Sequence, residues 1–161
     1  SIFLITISQY NLPIMKELLY LKDDQIKDFI QLLFYAYRET FSDPKEILAE
    51  NSFGRAHLRA LNLIERNPGT SLGELMYQLK ITKQSINRVL RDLLKSKMIK
   101  QIKDREDKRK KNLFLDKDGK IFFDKIYETQ KKRIFNALKK SEPESVIKFK
   151  EVLNKIINGK N

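Results

Sequence analysis

Apolar residues return every three or four positions along most of this chain, the spacing of helices with one buried face. Ile26, Phe29, Ile30, Leu33 and Tyr37 mark a first helix, with Asp23 or Asp24 as its expected N-terminal cap. Leu32, Phe34, Tyr35 and Ala36 add apolar surface outside that stripe. Such a helix is covered on more than one side, which in a small protein points to a partner chain. Ser42-Asp43-Pro44 interrupts the pattern, and a short helix is expected near 44–50. Ser52 is the expected cap of the next helix, with Phe53, Ala56, Ala60, Leu61 and Ile64 on one side and Asn67-Pro68-Gly69 as its stop.

Ser71-Leu72-Gly73-Glu74 then forms a capping box, in which the Ser and Glu side chains satisfy free amides reciprocally. Leu72, Leu75, Met76 and Leu79 give one short amphipathic helix. After a break at Lys80-Ile81, Thr82 caps a second helix, with Ile86, Val89, Leu90 and Leu93 as its stripe. Two such helices joined by a short turn are the helix-turn-helix signature. The pattern changes only afterwards. MIKQIK at 98–103 reads as a strand, a run of charges follows, and NLFLD reads as the return strand, anchored by Leu113 and Leu115.

Helical spacing resumes at Asp118-Gly119 and lasts to about 139, through Ile121, Phe122, Ile126, Ile134, Phe135 and Leu138. A last helix opens at Ser141-Glu142-Pro143-Glu144 and carries Val146, Phe149, Leu153, Ile156 and Ile157. The predicted class is mainly α with a small β-wing: a winged helix-turn-helix core flanked by N- and C-terminal dimerisation helices. The expected segments are an arm or extension over 1–22, a dimerisation helix and connector over 23–51, the winged core over 52–118 and dimerisation helices over 119–161.

Residues 1–14 are apolar but lack the basic start and small-residue cleavage pattern of a signal peptide. Met15 opens a more ordinary beginning, so the preceding residues read either as an added or upstream extension or as a native arm with strand propensity at Ile2, Phe3, Ile5 and Ile7. No stretch of about 18 apolar residues occurs, so no membrane helix is expected and a cytoplasmic location is.

Composition narrows the chemistry. The 161 residues suffice for one domain with a core, and they contain no Cys and one His, His57. Disulfides and thiol redox sensing are excluded, a zinc site has too few ligands, and no cofactor is expected. No Gly-rich phosphate loop, His-based dyad or nucleophile elbow is present, so an enzyme is not expected.

The net charge is +12, which favours an anionic partner. Lys bias from an AT-rich genome would produce the same total, but spread evenly. Residues 82–111 instead hold twelve basic and four acidic residues, +8 of that +12. Outside the buried stripe, the second helix offers Thr82, Lys83, Gln84, Ser85, Asn87, Arg88 and Arg91. Arg suits guanine, Asn and Gln suit adenine, and Ser, Thr and Lys suit phosphates. The hairpin after it adds Arg105, Lys108, Arg109, Lys110 and Lys111 at a wing tip suited to backbone or minor groove. Double-stranded DNA is therefore the expected partner. A sequence-specific regulator is the first reading, and a nonspecific nucleoid-associated or general nucleic-acid-binding protein the second. A protein-interaction module docking an acidic partner is a distant third.

The stretch from Thr70 to Phe123 resembles the winged-helix core of MarR-family transcriptional regulators. Asp104, Asp107 and Arg109 match the family's D-x-x-D-x-R wing, and Leu115 and Gly119 match the helix start after it. The flanking helices extend the resemblance over about residues 20–158, with similarity to a PetP-type subgroup. Three positions depart from the pattern: Glu106 stands where many members place a minor-groove Arg, Lys97 replaces a Gly, and Asp116 replaces a Thr. Arg105 or Lys108 is the candidate substitute for that Arg, while Asp104 and Asp107 are expected to shape the hairpin. The resemblance implies a homodimer on a pseudo-palindromic site with half-sites roughly 34–36 Å apart. It also implies a crevice for a small aromatic effector. Tyr35, Tyr37, Arg38, Arg55 and His57 are candidates to line it, against a reading of the tyrosines as interface core and the others as surface or hydrogen-bonded structure.

Overall fold

The structure is a computed structural model and describes residues 19–159. The strand propensity at Ile2–Ile7 and the alternative start at Met15 lie outside the described residues. The chain divides into two compact units, one ending at Thr40 and one beginning at Phe41.

Among the described residues the first unit holds helix α1, Asp23–Ser42, whose final two residues belong to the second unit. Asp23 and Asp24 occupy its first turn rather than preceding it, where their charge still favours the helix N-terminus. No residue of α1 is buried: Ile30, Leu32 and Phe34 are all more than half exposed.

The second unit contains α2 (Lys45–Ala49), α3 (Arg55–Arg66), β1 (Thr70–Ser71), α4 (Leu72–Leu79) and α5 (Lys83–Lys95). It continues with β2 (Ile99–Lys103), β3 (Lys111–Leu115), α6 (Lys117–Lys139) and α7 (Pro143–Asn158). The strands form an antiparallel sheet in the order β1-β3-β2, with β2 and β3 in register from Ile99↔Leu115 to Lys103↔Lys111. Strand β1, paired as Thr70↔Leu113 and Ser71↔Asn112, has no counterpart in the sequence reading, because two residues carry no alternation.

The core joins Leu58, Leu61 and Ile64 of α3 to Leu75 of α4, Ile86 and Leu93 of α5, Leu113 of β3 and Ile126 of α6. Leu115 packs against it partly buried. Each fully buried leucine or isoleucine contributes about 1.5–3 kcal/mol. Because Phe122, Phe123 and Ile126 share this core, residues 118 and 119 do not separate two bodies: α6 roots in the winged unit. Helix α7 buries nothing, and Ile147, Ile156 and Ile157 stand at least half exposed. Gly119 is what lets α6 reach the sheet, since a Cβ there would lie 1.7 Å from the Met98 carbonyl oxygen.

One cap differs from the expected position. Ser52 adopts a left-handed φ of 58° in the turn before α3, and Gly54 is the N-cap. Glycine brings no capping side chain, and instead His57 Nδ1 accepts the Gly54 N–H at 3.0 Å.

Candidate nucleic-acid interface

The two helices of the helix-turn-helix begin on the caps that their sequences encode. Ser71 Oγ accepts the Glu74 N–H at 3.2 Å, and Glu74 accepts the Ser71 N–H at 2.7 Å and the Thr70 hydroxyl at 2.9 Å. These bonds, the Ser71 amide first, hold the Glu74 carboxyl below its usual range. Lys80 ends α4 in the left-handed region, φ 50° and ψ 46°. Thr82 Oγ1 then accepts the Ser85 N–H at 3.2 Å and donates to Ser85 Oγ at 3.0 Å, so both hydroxyls partly serve the start of α5. Ile86, Val89, Leu90 and Leu93 are buried, while Thr82, Lys83, Gln84, Ser85, Asn87, Arg88 and Arg91 are all exposed.

The hairpin tip is built on two carboxylates. Asp104 Oδ1 accepts the N–H groups of Glu106 and Asp107 at 2.9 and 3.0 Å, and its Oδ2 accepts Asn112 Nδ2 at 3.1 Å. Asp107 Oδ1 accepts the Arg109 N–H at 2.9 Å. The Asp104 carboxyl is held below its usual range, chiefly by the Asp107 N–H, then by Asn112 and Glu106. With Asp104 and Asp107 turned onto the hairpin itself, the tip leaves Arg105, Lys108, Arg109, Lys110 and Lys111 exposed. Glu106 is exposed too, beside Arg105.

Helix α5 and the wing enclose one open cleft of about 770 Å³. Leu72, Leu90, Leu94 and Leu113 line its apolar part, and Asn87, Arg91, Arg109, Lys110 and Lys111 contribute polar and cationic groups. Residues predicted from two separate segments thus border the same surface. On the other side of α5, Gln84, Ser85 and Arg88 share a depression of about 530 Å³ with Gly54, Arg55, Ala56 and His57 at the start of α3. None of Lys83, Arg88, Arg91, Arg105, Lys108, Arg109, Lys110 or Lys111 lies within ion-pair distance of an acid among the described residues. Eight exposed cations on one helix and one hairpin, of which Lys110 feels the nearby carboxylates of Glu74 and Asp104, suit a polyanion.

The five residues suggested for an effector crevice divide between the two units. On α1, Tyr35 accepts Gln31 Nε2 at 2.8 Å and lies under the Arg38 guanidinium at 4.8 Å, while Arg38 pairs with Glu39. Tyr37 is also on α1, 39% exposed. On α3, Arg55 and His57 border the recognition-helix depression. His57 stacks on Phe53 with ring centres 4.8 Å apart, and its Nε2 lies 2.8 Å from Asp92 Oδ2 on α5. Among the described residues no three His, Cys, Asp or Glu side chains converge on a metal position, and no helix is long and apolar enough to cross a membrane.

Three further side chains make long-range bonds. Of them, Asp92 reads from sequence as part of the exposed face of α5, and Arg133, with its partner Asp43, lines neither cleft. Asn112 braces the wing across the hairpin, Asp92 ties α5 to α3, and Arg133 of α6 grips Asp43 with Nε and Nη2 at 2.6 and 2.8 Å. The last bond holds the Asp43 carboxyl below its usual range. Only Asn112, opposite Ile102 on the paired strand, sits where a hairpin register read from sequence points to it.

The MarR family model matches residues 52–110, from the turn before α3 to the wing tip. The chain is 37% identical over 141 residues to the HTH-type transcriptional regulator PetP of Rhodobacter capsulatus, covering 88% of this chain and 85% of that protein. Among solved structures, a point mutant of MepR from a multidrug-resistant S. aureus clinical isolate superposes with a TM-score of 0.70 at 18% identity, over 80% of this chain and 94% of the other. NadR in complex with 4-hydroxyphenylacetate superposes with a TM-score of 0.69 at 20% identity, over 80% and 91%.

Proposed function

Because the chain belongs to the MarR family of winged-helix, DNA-binding transcriptional regulators, we propose that it acts as a cytoplasmic homodimer on a pseudo-palindromic operator. Helix α5 enters the major groove, where Arg88, Gln84 and Asn87 read base edges while Thr82, Lys83, Ser85 and Arg91 add further backbone and base contacts. The wing lies on the phosphates or in the minor groove through Arg105, Lys108, Arg109, Lys110 and Lys111. The observation that carries this reading is the cleft shared by α5 and the hairpin, rimmed by exposed cations from both.

The homodimer reading rests on the apolar faces of α1 and α7, neither of which buries a residue. An apolar helix face left open is the usual mark of an interface. Two-fold symmetry then sets half-sites roughly 34–36 Å apart. A small aromatic effector is the proposed signal, supported by the 4-hydroxyphenylacetate complex of the NadR structure and by the tyrosine–arginine pair on α1.

Footprinting tests the reading. A specific regulator protects a short palindrome, and Arg88→Ala lowers its preference for that site over random DNA. If Arg88→Ala and Lys110→Ala weaken binding to every sequence equally, the nonspecific reading replaces it. A monomer in sedimentation at micromolar concentration overturns the homodimer.

A further inference from the structure

Two lysines at opposite ends of the recognition helix occupy backbone positions that disfavour any side chain. Lys80 has φ 50° and Lys97 has φ 55°. In this region the Cβ crowds the following carbonyl, which is why glycine is the usual occupant. Such a conformation persists where the surrounding structure or a function holds it.

The two positions differ in what lies near them. Lys80 stands two residues before Thr82, the N-cap of α5, whose first turn carries Lys83, Gln84 and Ser85. Lys97 follows the C-cap Ser96, at the root of the wing, next to Met98, whose carbonyl accepts the Asp116 N–H at the start of α6. The thirteen residues of α5 separate them by about 20 Å. In a helix-turn-helix the N-terminal end of the recognition helix enters the groove. Both lysines are exposed, and Lys80 has no ion-pair partner among the described residues.

We propose that Lys80 is a phosphate-contact residue: the strained turn between the two helices keeps a lysine because its ammonium binds the DNA backbone beside the entering end of α5. The inference rests on the DNA reading above and adds a contact to it. Lys97, equally strained at the withdrawn end, makes no such contact and serves as the internal control.

Four variants of the full chain separate strain from contact: Lys80→Gly, Lys80→Gln, Lys80→Arg and Lys97→Gly. Both glycine variants are expected to raise the thermal midpoint by about 2–4 °C. Lys80→Gly and Lys80→Gln should each bind DNA several-fold more weakly at 150 mM salt, with the salt-dependence slope reduced by about 0.9 per protomer. Lys80→Arg and Lys97→Gly should bind with the wild-type slope. If the wild type binds in a salt-dependent way and Lys80→Gly keeps its affinity and slope, the phosphate contact is overturned and the DNA reading stands. If wild-type affinity does not fall with salt, the DNA reading fails and the contact falls with it.

Discussion

His57 Nε2 lies 2.8 Å from Asp92 Oδ2, a bond between α3 and the recognition helix across 35 residues of sequence. The other ring nitrogen accepts the Gly54 N–H, so the ring proton resides on Nε2 and is donated to Asp92. One imidazole therefore starts α3, orients α5 and stacks on Phe53, which meets Phe122 of α6 edge-on at 5.7 Å. His57→Ala removes all three contacts and is expected to cost about 2–3 kcal/mol in urea denaturation. Asp92→Asn keeps an acceptor for Nε2–H and should cost less than about 1 kcal/mol. An Asp92→Ala variant as stable as the wild type would show that the ring packs without orienting α5.

Gly119→Ala places a methyl group 1.7 Å from the Met98 carbonyl oxygen, a backbone atom that already accepts the Asp116 N–H. Either α6 or the root of β2 must move, at an expected cost of roughly 2–4 kcal/mol. Gly73→Ala is the contrast. Its nearest neighbour would be Ser71 Oγ at 3.9 Å, and it sits inside helix α4. It should stabilise by about 0.5–1 kcal/mol. Thermal melts of the two variants should move in opposite directions.

Glu106→Arg puts a cation at the position where the resemblance to the MarR family places its minor-groove arginine, and changes the tip charge by two units. The backbone there is held by Asp104, which accepts the residue 106 N–H whatever its side chain. The variant should bind DNA more tightly, with a salt slope steeper by about 0.9 per protomer if one further phosphate is engaged. Arg105→Ala in the native background should weaken binding. Were Arg105→Ala silent and Glu106→Arg strongly gaining, Arg105 would not be the native wing's minor-groove residue.

The turn bonds that Asp104 accepts should outlast the pH range in which an ordinary aspartate protonates. Asp104 is depressed by bonds that favour its charged form, so its contribution is fully present above the ordinary carboxylate pKa and is lost as pH falls through the lowered one. Amide NMR signals of Glu106 and Asp107 should hold steady from pH 7 down to about 4 and move below it. Asp104→Asn should broaden them at neutral pH and lower DNA affinity several-fold, because an amide oxygen accepts less strongly than a carboxylate. Movement centred above pH 5 would contradict this role for Asp104.

Much of this molecule is written locally. The stripe Ile86, Val89, Leu90 and Leu93 defines both the buried side of α5 and, by exclusion, the face that carries Arg88 and Asn87. The caps Ser71 and Thr82 act within three residues of themselves, and so do the turn bonds of Asp104 and Asp107. Signals of such short range survive in any reading of the chain. The Ser52 cap misled for a related reason: a Ser before an apolar run looks like a cap, yet the left-handed turn at Ser52 moves the helix start to Gly54.

Helix faces, the turn between them, the hairpin and the charge concentrated over 82–111 follow from the sequence by itself, because side-chain period and capping depend on neighbours a few residues away. The tertiary structure alone decides that His57 meets Asp92, that Arg133 meets Asp43 and that Asn87 and Arg91 border one cleft with Arg109 to Lys111. Those pairings join residues far apart along the chain, up to ninety positions for Asp43 and Arg133. No periodicity spans such a distance, and only packing around the shared core brings the partners together.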